Sequence, residues 1–551
     1  MKKIIYSLTL YFILSILSSG IYSQATQDWV ARYNGTSPKR VDIFSKMVID
    51  NSGNVYVTGY SNSGSYSWDD DFVTVKFNSS GIMQWVQIYN GLFDTTDRAA
   101  DIAVDNAGNV YVTGQSLTDN TDIDFVTIKY NSAGVQQWVQ RYIYLGDDFP
   151  TCIAVDESGF VYVSGGTNMN GGLKFTTIKY TAGGGQVWIA DSPSGDKINS
   201  MKVDNSGNVY VTGPGWNDNY NYVTIKYNSL GLQQWISSYD GPANQQDYAR
   251  SIDIDNSGNV FVTGDSDGDG TQEDYATVKY NPSGVLLWSQ RYNGTSNSLD
   301  FAYCVKTDAS GNSYVTGRST QSGAGYDFVT IKYNTNGVQQ WLAKYNGPSN
   351  DDDEAFDLVL DASGNVYVTG STYYSVQDFA TVKYNSSGVQ QWTARYDGPG
   401  GSVDIARTVK VSSAGKVYAG GTSAGSGTLQ DFAVVRYSQP IGVKNLSTEI
   451  PSSYALYQNY PNPFNPSTKI KFTIPLSRGV SEGRGVFVKL AVYDILGKDI
   501  TTLVNQQLSP GTYEVEWPAP SGDALNFFAG IYFYKLFTDE FTETKKMILV
   551  K

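Results

Sequence analysis

The residues of this chain best suited to chemistry are carboxylates and indoles, gathered in a few short stretches. In DSDGDGTQED, residues 265–274, Asp265, Asp267, Asp269 and Glu273 are spaced about Gly270. Hard oxygen ligands arranged around a sharp, Gly-permitted turn are what Ca²⁺ requires, so these four are candidate calcium ligands; a plain solvated acidic hairpin is the competing reading. Two tryptophans stand beside Asp and Asn: Trp68 in SYSWDDDF and Trp216 in GPGWNDNYNY. An aromatic face flanked by carboxylates and amides suits a sugar ring, which stacks through its C–H groups and hydrogen-bonds at its edge; packing against neighbouring loops is the alternative. The 551 residues contain no histidine, which removes Ser-His-Asp and Cys-His nucleophilic sites, His-ligated zinc or haem, and imidazole acid–base work. Catalysis would then rest on carboxylates, Tyr, Lys or a bound cofactor, and the many Asp residues single out no catalytic pair.

One carboxylate recurs. Asp42, Asp97, Asp148, Asp196, Asp247, Asp300, Asp353 and Asp404 each stand eleven residues before the glycine of a repeated decapeptide. Two readings compete: a cap that accepts backbone N–H groups where the chain enters a strand, or an acidic ring that gathers cations. Eight close carboxylates without partners would repel one another, which favours the cap.

The decapeptide sets the frame. DNSGNVYVTG begins at Asp50 and returns as DNAGNVYVTG, DNSGNVFVTG and DASGNVYVTG, with its glycine at 53, 108, 159, 207, 258, 311, 364 and 415. A period near 50 with four strand-like runs per unit predicts a β-propeller. Strand A reads as in ADIAVD, B as GNVYVTG, C as DFVTIKY, and D carries a tryptophan, as in QQWVQRY. Asp-x-x-Gly-Asn and Asn-x-x-Gly form the A–B and C–D turns, so the decapeptide is scaffold; variable chemistry belongs to the B–C and D–A loops of the other face. Tryptophans 85, 138, 188, 235, 288, 341 and 392 follow a strand C, whereas Trp29 precedes any strand A and the eighth unit has no strand D. The N-terminal strand is therefore expected to complete blade eight and close the ring. The fold class expected is all-β: an eight-bladed propeller over residues 24–438, a linker at 439–452 and a small C-terminal β-sandwich at 453–551.

Composition agrees: 42 Tyr, 56 Gly and 11 Trp suit short strands and tight turns. A net charge of −14 without a long basic run argues against nucleic acid. Residues 1–23 read as a secretory signal, with Lys2 and Lys3 before an apolar run, and no later segment is apolar enough for a membrane helix. Cys152 and Cys304 occupy equivalent places in distant units, so they are read as small buried residues and not as a disulfide.

The units, through GNVYVTG and the Asp-x-x-Gly turn, resemble the SBBP-type β-propeller repeats of bacterial surface and secreted proteins. The calcium candidate resembles DxDxDG loops of extracellular propellers and EF-hands, although Ala276 at position 12 and the lack of flanking helices exclude an EF-hand. NSxGVQQW resembles the tryptophan-docking repeats of quinoprotein dehydrogenases, without the cofactor ligands such an enzyme requires. The tail resembles the type A C-terminal sorting domain of the type IX secretion system in QNYPNPFN, VYDILGK, GIYFYKL and KKMILVK. Asn459, Pro461, Asn462, Pro463, Phe464, Gly497, Gly530, Lys545 and Lys546 carry that motif, and LSRGVSEGRGVF (476–487) is a lengthened hairpin loop within it. The resemblance implies type IX secretion machinery as partner, a secreted or outer-membrane cell-surface location, and removal of the tail. The function expected is a binding or adhesion module for an extracellular glycan or protein. The alternative is an extracellular enzyme, either carboxylate-based and glycan-active or quinoprotein-like.

Overall fold

The computed structural model describes residues 25–550 except 36–40, 63–69, 93–95, 118–121, 145, 170–171, 194, 218, 322–324, 440–442, 448, 466, 477–485 and 518–527. The leader, Trp68 and most of the 476–487 loop lie outside the described residues. Within them every regular element is a strand, and no helix is long and apolar enough to cross a membrane.

The described strands between Thr26 and Ser438 form eight four-stranded antiparallel sheets. In seven the strands follow chain order, as in Asp247–Ile254, Val260–Asp267, Glu273–Tyr280 and Leu286–Tyr292. The other joins Asp404–Val411, Val417–Ala424 and Gln430–Ser438 to the first strand, Thr26–Tyr33. The strand A of the first sheet, Val41–Ile49, packs against Asp97–Val104 on one side and Asp404–Val411 on the other. Hydrogen bonds cross from sheet to sheet: Ile153 N–H to Asp101 (2.9 Å), Val305 N–H to Ser251 (3.2 Å), Val409 N–H to Asp357 (3.0 Å), and Phe44 N–H to Thr422 (3.1 Å).

The repeated decapeptide acts locally. Asp50 accepts the N–H groups of Ser52 and Asn54 (both 2.9 Å), the Asn54 amide (2.7 Å) and the Tyr56 hydroxyl (3.0 Å), while Gly53 takes φ +76°. The Asp thus pins both the turn and the strand that leaves it, and only Gly holds that dihedral without strain. Each apolar cluster draws on neighbouring sheets: Tyr56 and Phe72 of the first pack with Ile102, Val110 and Val112 of the second. Burying side chains of this size contributes about 1.5–3 kcal/mol each. Tryptophans add a lateral link. Trp85 donates Nε1–H to Ser132 O of the next sheet (3.2 Å), and its indole lies so close to Gly134 that a Cβ there would clash. Trp29 repeats this toward Ser79 O (3.2 Å) and Gly81 in the first sheet. Cys152 and Cys304 are free and buried.

Two further sheets share one apolar core built on Phe464, Ile470, Leu490, Val515, Trp517, Tyr534 and Met547. One strand of the pair, Lys444–Ser447, lies in the stretch read from sequence as linker and pairs with Gly511–Trp517. Four residues are too few for alternation to reveal a strand; the pairing partner lies more than sixty residues away.

Candidate functional site

The recurrent carboxylates sit at the D–A crossings. Asp247 accepts Gly241 N–H (2.7 Å), Asp300 accepts Gly294 N–H (2.6 Å) and Thr320 N–H (3.1 Å), and Asp404 accepts Gly398 N–H (2.6 Å) and Ala424 N–H (2.8 Å). Asp42, Asp97 and Asp353 bond Gly35, Gly91 and Gly347 in the same way, and Asp148 accepts Asn168 N–H. A Cβ on Gly241 would run into Asp247 and Ser266, so this glycine is required by close approach. Asp196 differs: it is half-buried and takes the hydroxyl of Tyr220. Burial, against which the N–H bonds work, pushes Asp148 up to about 7 and Asp247 up to about 6. A proton held on such groups lets carboxylates of neighbouring sheets approach without full repulsion.

A second set of acids escaped the sequence reading. Asp71, Asp124, Asp274, Asp327, Asp378 and Asp431 open strand C and are buried. Their signal was the Asp before the aromatic of each DFVTIKY-type run, seen there only as part of a strand. For three of them strand D supplies the counter-charge: Arg291–Asp274 and Arg32–Asp431 (both 2.8 Å), and Arg395–Asp378. In the third sheet the charges exchange places, with Lys174 on strand C and Asp191 on strand D (2.8 Å). Oxygens of Asp378, Asp397 and Asp404 lie within 4.8 Å of one another, but Arg395 bonds the first two and already provides their positive partner.

The proposed calcium ligands do not converge. Asp265 is buried and ion-paired with Arg250 on the adjacent strand; Asp267 accepts Gln246 N–H (3.2 Å); Asp269 is exposed at the hairpin tip. The hairpin stays paired out to Asp267–Glu273, which sets these two carboxylates opposite each other across its strands. Asp267 and Glu273 instead line a cavity of about 420 Å³ with Ala243, Gln245, Gly268, Thr271, Gln272 and Leu299.

Trp216 is joined to the neighbourhood of that cavity through two tyrosines. Its side chain is 62% exposed and meets Tyr220 edge-on (5.1 Å between centroids), and Tyr220 in turn meets Tyr248 (5.3 Å). Asn219 Nδ2 donates to Gln245 O (2.6 Å) and Tyr248 bonds Gln246, so the aromatic cluster and the cavity share the 245–246 segment. The fourth and fifth sheets therefore present one surface combining an open indole, two phenols, amides and two carboxylates.

In the tail, the PNPF segment fastens the last strand, Thr542–Leu549. Phe464 is buried edge-on to Trp517 (5.5 Å), its N–H reaches Ile548 O (2.9 Å) and its carbonyl accepts Val550 N–H (2.9 Å). Asn462 accepts Ile548 N–H (3.0 Å), between Pro461 and Pro463, and buried Asn459 binds Pro461 O (3.0 Å) and Thr468 (2.9 Å). Gly497 takes φ +80° in the Asp494–Lys498 turn, Gly530 opens the strand paired with the last one, Lys545 bridges Glu543 (3.0 Å), and the Lys546 carbonyl accepts from Gln458 (2.8 Å).

Comparison with known proteins gives a consistent picture of the parts. Residues 29–67, 84–120, 137–172 and 241–270 match the SBBP β-propeller repeat, and 458–551 match the secretion system C-terminal sorting domain. No curated protein matches the chain. Among solved structures it is similar to Sqt1 of Chaetomium thermophilum bound to the N-terminus of ribosomal protein L10 (11% identity, 75% of this chain and 100% of that one, TM-score 0.44). It is also similar to a protein of unknown function from Dyadobacter fermentans (9%, 75% and 99%, 0.39) and to a periplasmic gluconolactonase of Pseudomonas aeruginosa (11%, 74% and 98%, 0.35). Likenesses this distant carry no argument about activity. The chain carries SBBP β-propeller repeats and ends in a type IX C-terminal sorting domain, which makes it a secreted or cell-surface protein.

Proposed function

We propose that residues 25–438 form an eight-bladed ring closed by the N-terminal strand, and that it works outside the cell as a glycan-binding module. The observation that carries the reading is Trp216, an open indole linked through Tyr220 to Tyr248, whose 245–246 neighbourhood edges a cavity lined by Gln245, Gln272, Asp267 and Glu273. A sugar ring stacked on the indole would direct its hydroxyls to these amides and carboxylates. Asp265 is committed to Arg250, so the reading draws on the indole, the amides, Asp267 and Glu273 and calls on no calcium ligand.

The test is a glycan array probed with the mature full chain, with calcium and with EDTA. Binding to one glycan class that survives EDTA is expected, and Trp216→Ala should weaken it about tenfold, the loss of roughly 1.4 kcal/mol. Asp267→Asn with Glu273→Gln should weaken it further while leaving the thermal midpoint unchanged. Binding indifferent to Trp216→Ala, or an array without signal, would overturn the glycan reading. Loss of binding in EDTA would return the metal to residues 265–273.

A further inference from the structure

Strand A of each sheet packs on strand A of its neighbours, and in seven sheets its pairing with strand B slips at a single residue. The slip is a β-bulge three residues after the recurrent Asp; it leaves one residue out of the ladder and re-aims its side chain. In the first four sheets this place holds something small. Ser45 donates its hydroxyl to Ala99 O (2.7 Å), Thr151 donates to Ile198 O, and Asn199, at the same offset in the fourth sheet, donates its amide to Ala249 O (2.8 Å). The second sheet has Ala100 there. The position thus stitches one strand A to the next. In the fifth to eighth sheets it carries Arg250, Tyr303, Phe356 and Arg407 instead.

These four residues form a continuous arc. Arg250 lies over Tyr303 (5.3 Å) and Phe301 (5.7 Å), Tyr303 meets Phe356 (5.6 Å between centroids), and Arg407 lies over Phe356 (4.2 Å). Arg318 covers Phe301 from strand B (4.7 Å). Charge does not balance along the arc. Arg250 is paired with Asp265 and Arg318 with Glu354, whereas Arg407 is exposed and meets no carboxylate at ion-pair distance among the described residues. Three guanidiniums therefore stand against two carboxylates, in a chain of net charge −14. A guanidinium lying on an aromatic ring keeps its N–H edge for a bidentate carboxylate. The arc also continues the Trp216 surface: Tyr248, where that run of aromatics ends, stands opposite Asp265 in the sheet, and Asp265 holds Arg250.

We propose that the glycan is an acidic one: a hexuronate residue sets its carboxylate on Arg407 and its ring against Phe356 and Tyr303, while sugars further along the same chain occupy the Trp216 surface. This rests on the glycan reading above. It needs the order of the fifth to eighth sheets and not the closure of the ring.

The experiment compares oligomers of galacturonate, mannuronate and glucuronate with the same oligomers reduced to neutral sugars, by calorimetry on the mature full chain. At least one acidic oligomer should bind about tenfold more tightly than its reduced form, the scale of one charge-assisted pair, and added sodium chloride should narrow the gap. Arg407→Gln should erase the preference, and Arg407→Lys, which keeps the charge without the planar fork, should restore part of it. Ser45→Ala, at the same bulge in the small half, should leave the preference intact. Arg407 is exposed, so its variants should keep the wild-type thermal midpoint. Equal affinity for acidic and reduced oligomers, or a preference that survives Arg407→Gln, overturns the acidic subsite and leaves the glycan reading standing. Silence from all three pairs beside an array that reports a neutral glycan does the same. Silence from the pairs and the array together sinks the glycan reading as well.

Discussion

Removal of residues 24–34 is expected to leave a chain that no longer folds as a soluble monomer. The strand Thr26–Tyr33 pairs along nearly all of Gln430–Ser438, with Val30 opposite Val435 and Tyr33 opposite Phe432. It buries Ala31 and Tyr33, and Trp29 reaches over Gly81 to Ser79 of the first sheet. Arg32 alone bonds Asp431 (2.8 Å), the Ser423 hydroxyl (2.7 Å) and carbonyl (2.8 Å), and Tyr396 (2.8 Å). Without it Asp431 is a buried charge with its cation gone, a loss of about 3–5 kcal/mol. The lost apolar burial adds about 1.5–3 kcal/mol for each large side chain. Together these approach the whole stability of an ordinary domain, about 5–15 kcal/mol. The deletion also uncovers the full edge of Gln430–Ser438, a template for pairing with another chain. Size-exclusion chromatography should therefore show aggregates, and thermal unfolding should show no cooperative transition. Moving residues 24–34 behind residue 438 through an Asn-x-x-Gly turn should restore a monomer, since the same strand then reaches the same edge. A deletion variant that stays monodisperse with an unchanged midpoint would sink the composite eighth blade.

How much of this was legible in the sequence depends on where each partner lies. Asp50 and Gly53 work within six residues of one another, so the turn could be read directly from the decapeptide. Trp29 and the missing fourth strand of the last unit stand about four hundred residues apart, yet the repeat frame exposed both, one as a surplus and one as a deficit. Asp265 shows the opposite case. Its spacing to Asp267 and Asp269 is a local signal, while Arg250, which takes its charge, lies on the neighbouring strand where nothing in the loop announces it. The exchange of Lys174 and Asp191 was hidden for the same reason, because each residue looks aberrant until its cross-strand partner is known.

Stability should rise on acidification from pH 7.5 to about 5, the reverse of what salt-bridged carboxylates usually produce. Burial pushes Asp148 up to about 7, and Asp247 and Asp327 up to about 6, from an ordinary value of 3.8. Asp300, Asp353 and Asp404 are moved the same way by burial. Between pH 4 and 7 the folded chain therefore holds protons that the unfolded chain has released, and unfolding free energy falls as pH rises through that window. Below about 4 the trend turns. Burial opposes ionisation of Asp308 and Asp361, but hydrogen bonds from Asn312 and Asn365 prevail and hold these carboxyls below the ordinary value. Their stabilising contribution is present above the unfolded pKa and disappears as pH falls through the folded one. A tenfold difference in proton affinity between folded and unfolded chains corresponds to about 1.4 kcal/mol, and solvent relaxation reduces the gross sum to a few kcal/mol. With an unfolding entropy near 2 cal/mol/K per residue, that moves the midpoint of a domain this size by about 4 °C. Calorimetry from pH 3 to 8 should thus give a maximum near pH 5. Asp148→Asn keeps an oxygen for the Asn168 N–H but removes the titrating proton, so it should flatten the limb between pH 5 and 7.5 without lowering its acidic end. Asp148→Ala, which leaves that N–H without its acceptor, should lower the midpoint at every pH, by the equivalent of about 1–3 kcal/mol. A midpoint that climbs steadily from pH 5 to 7.5 would mean that the recurrent carboxylates are ionised in the folded chain. Protonation would then no longer account for the close approach of acids from neighbouring sheets.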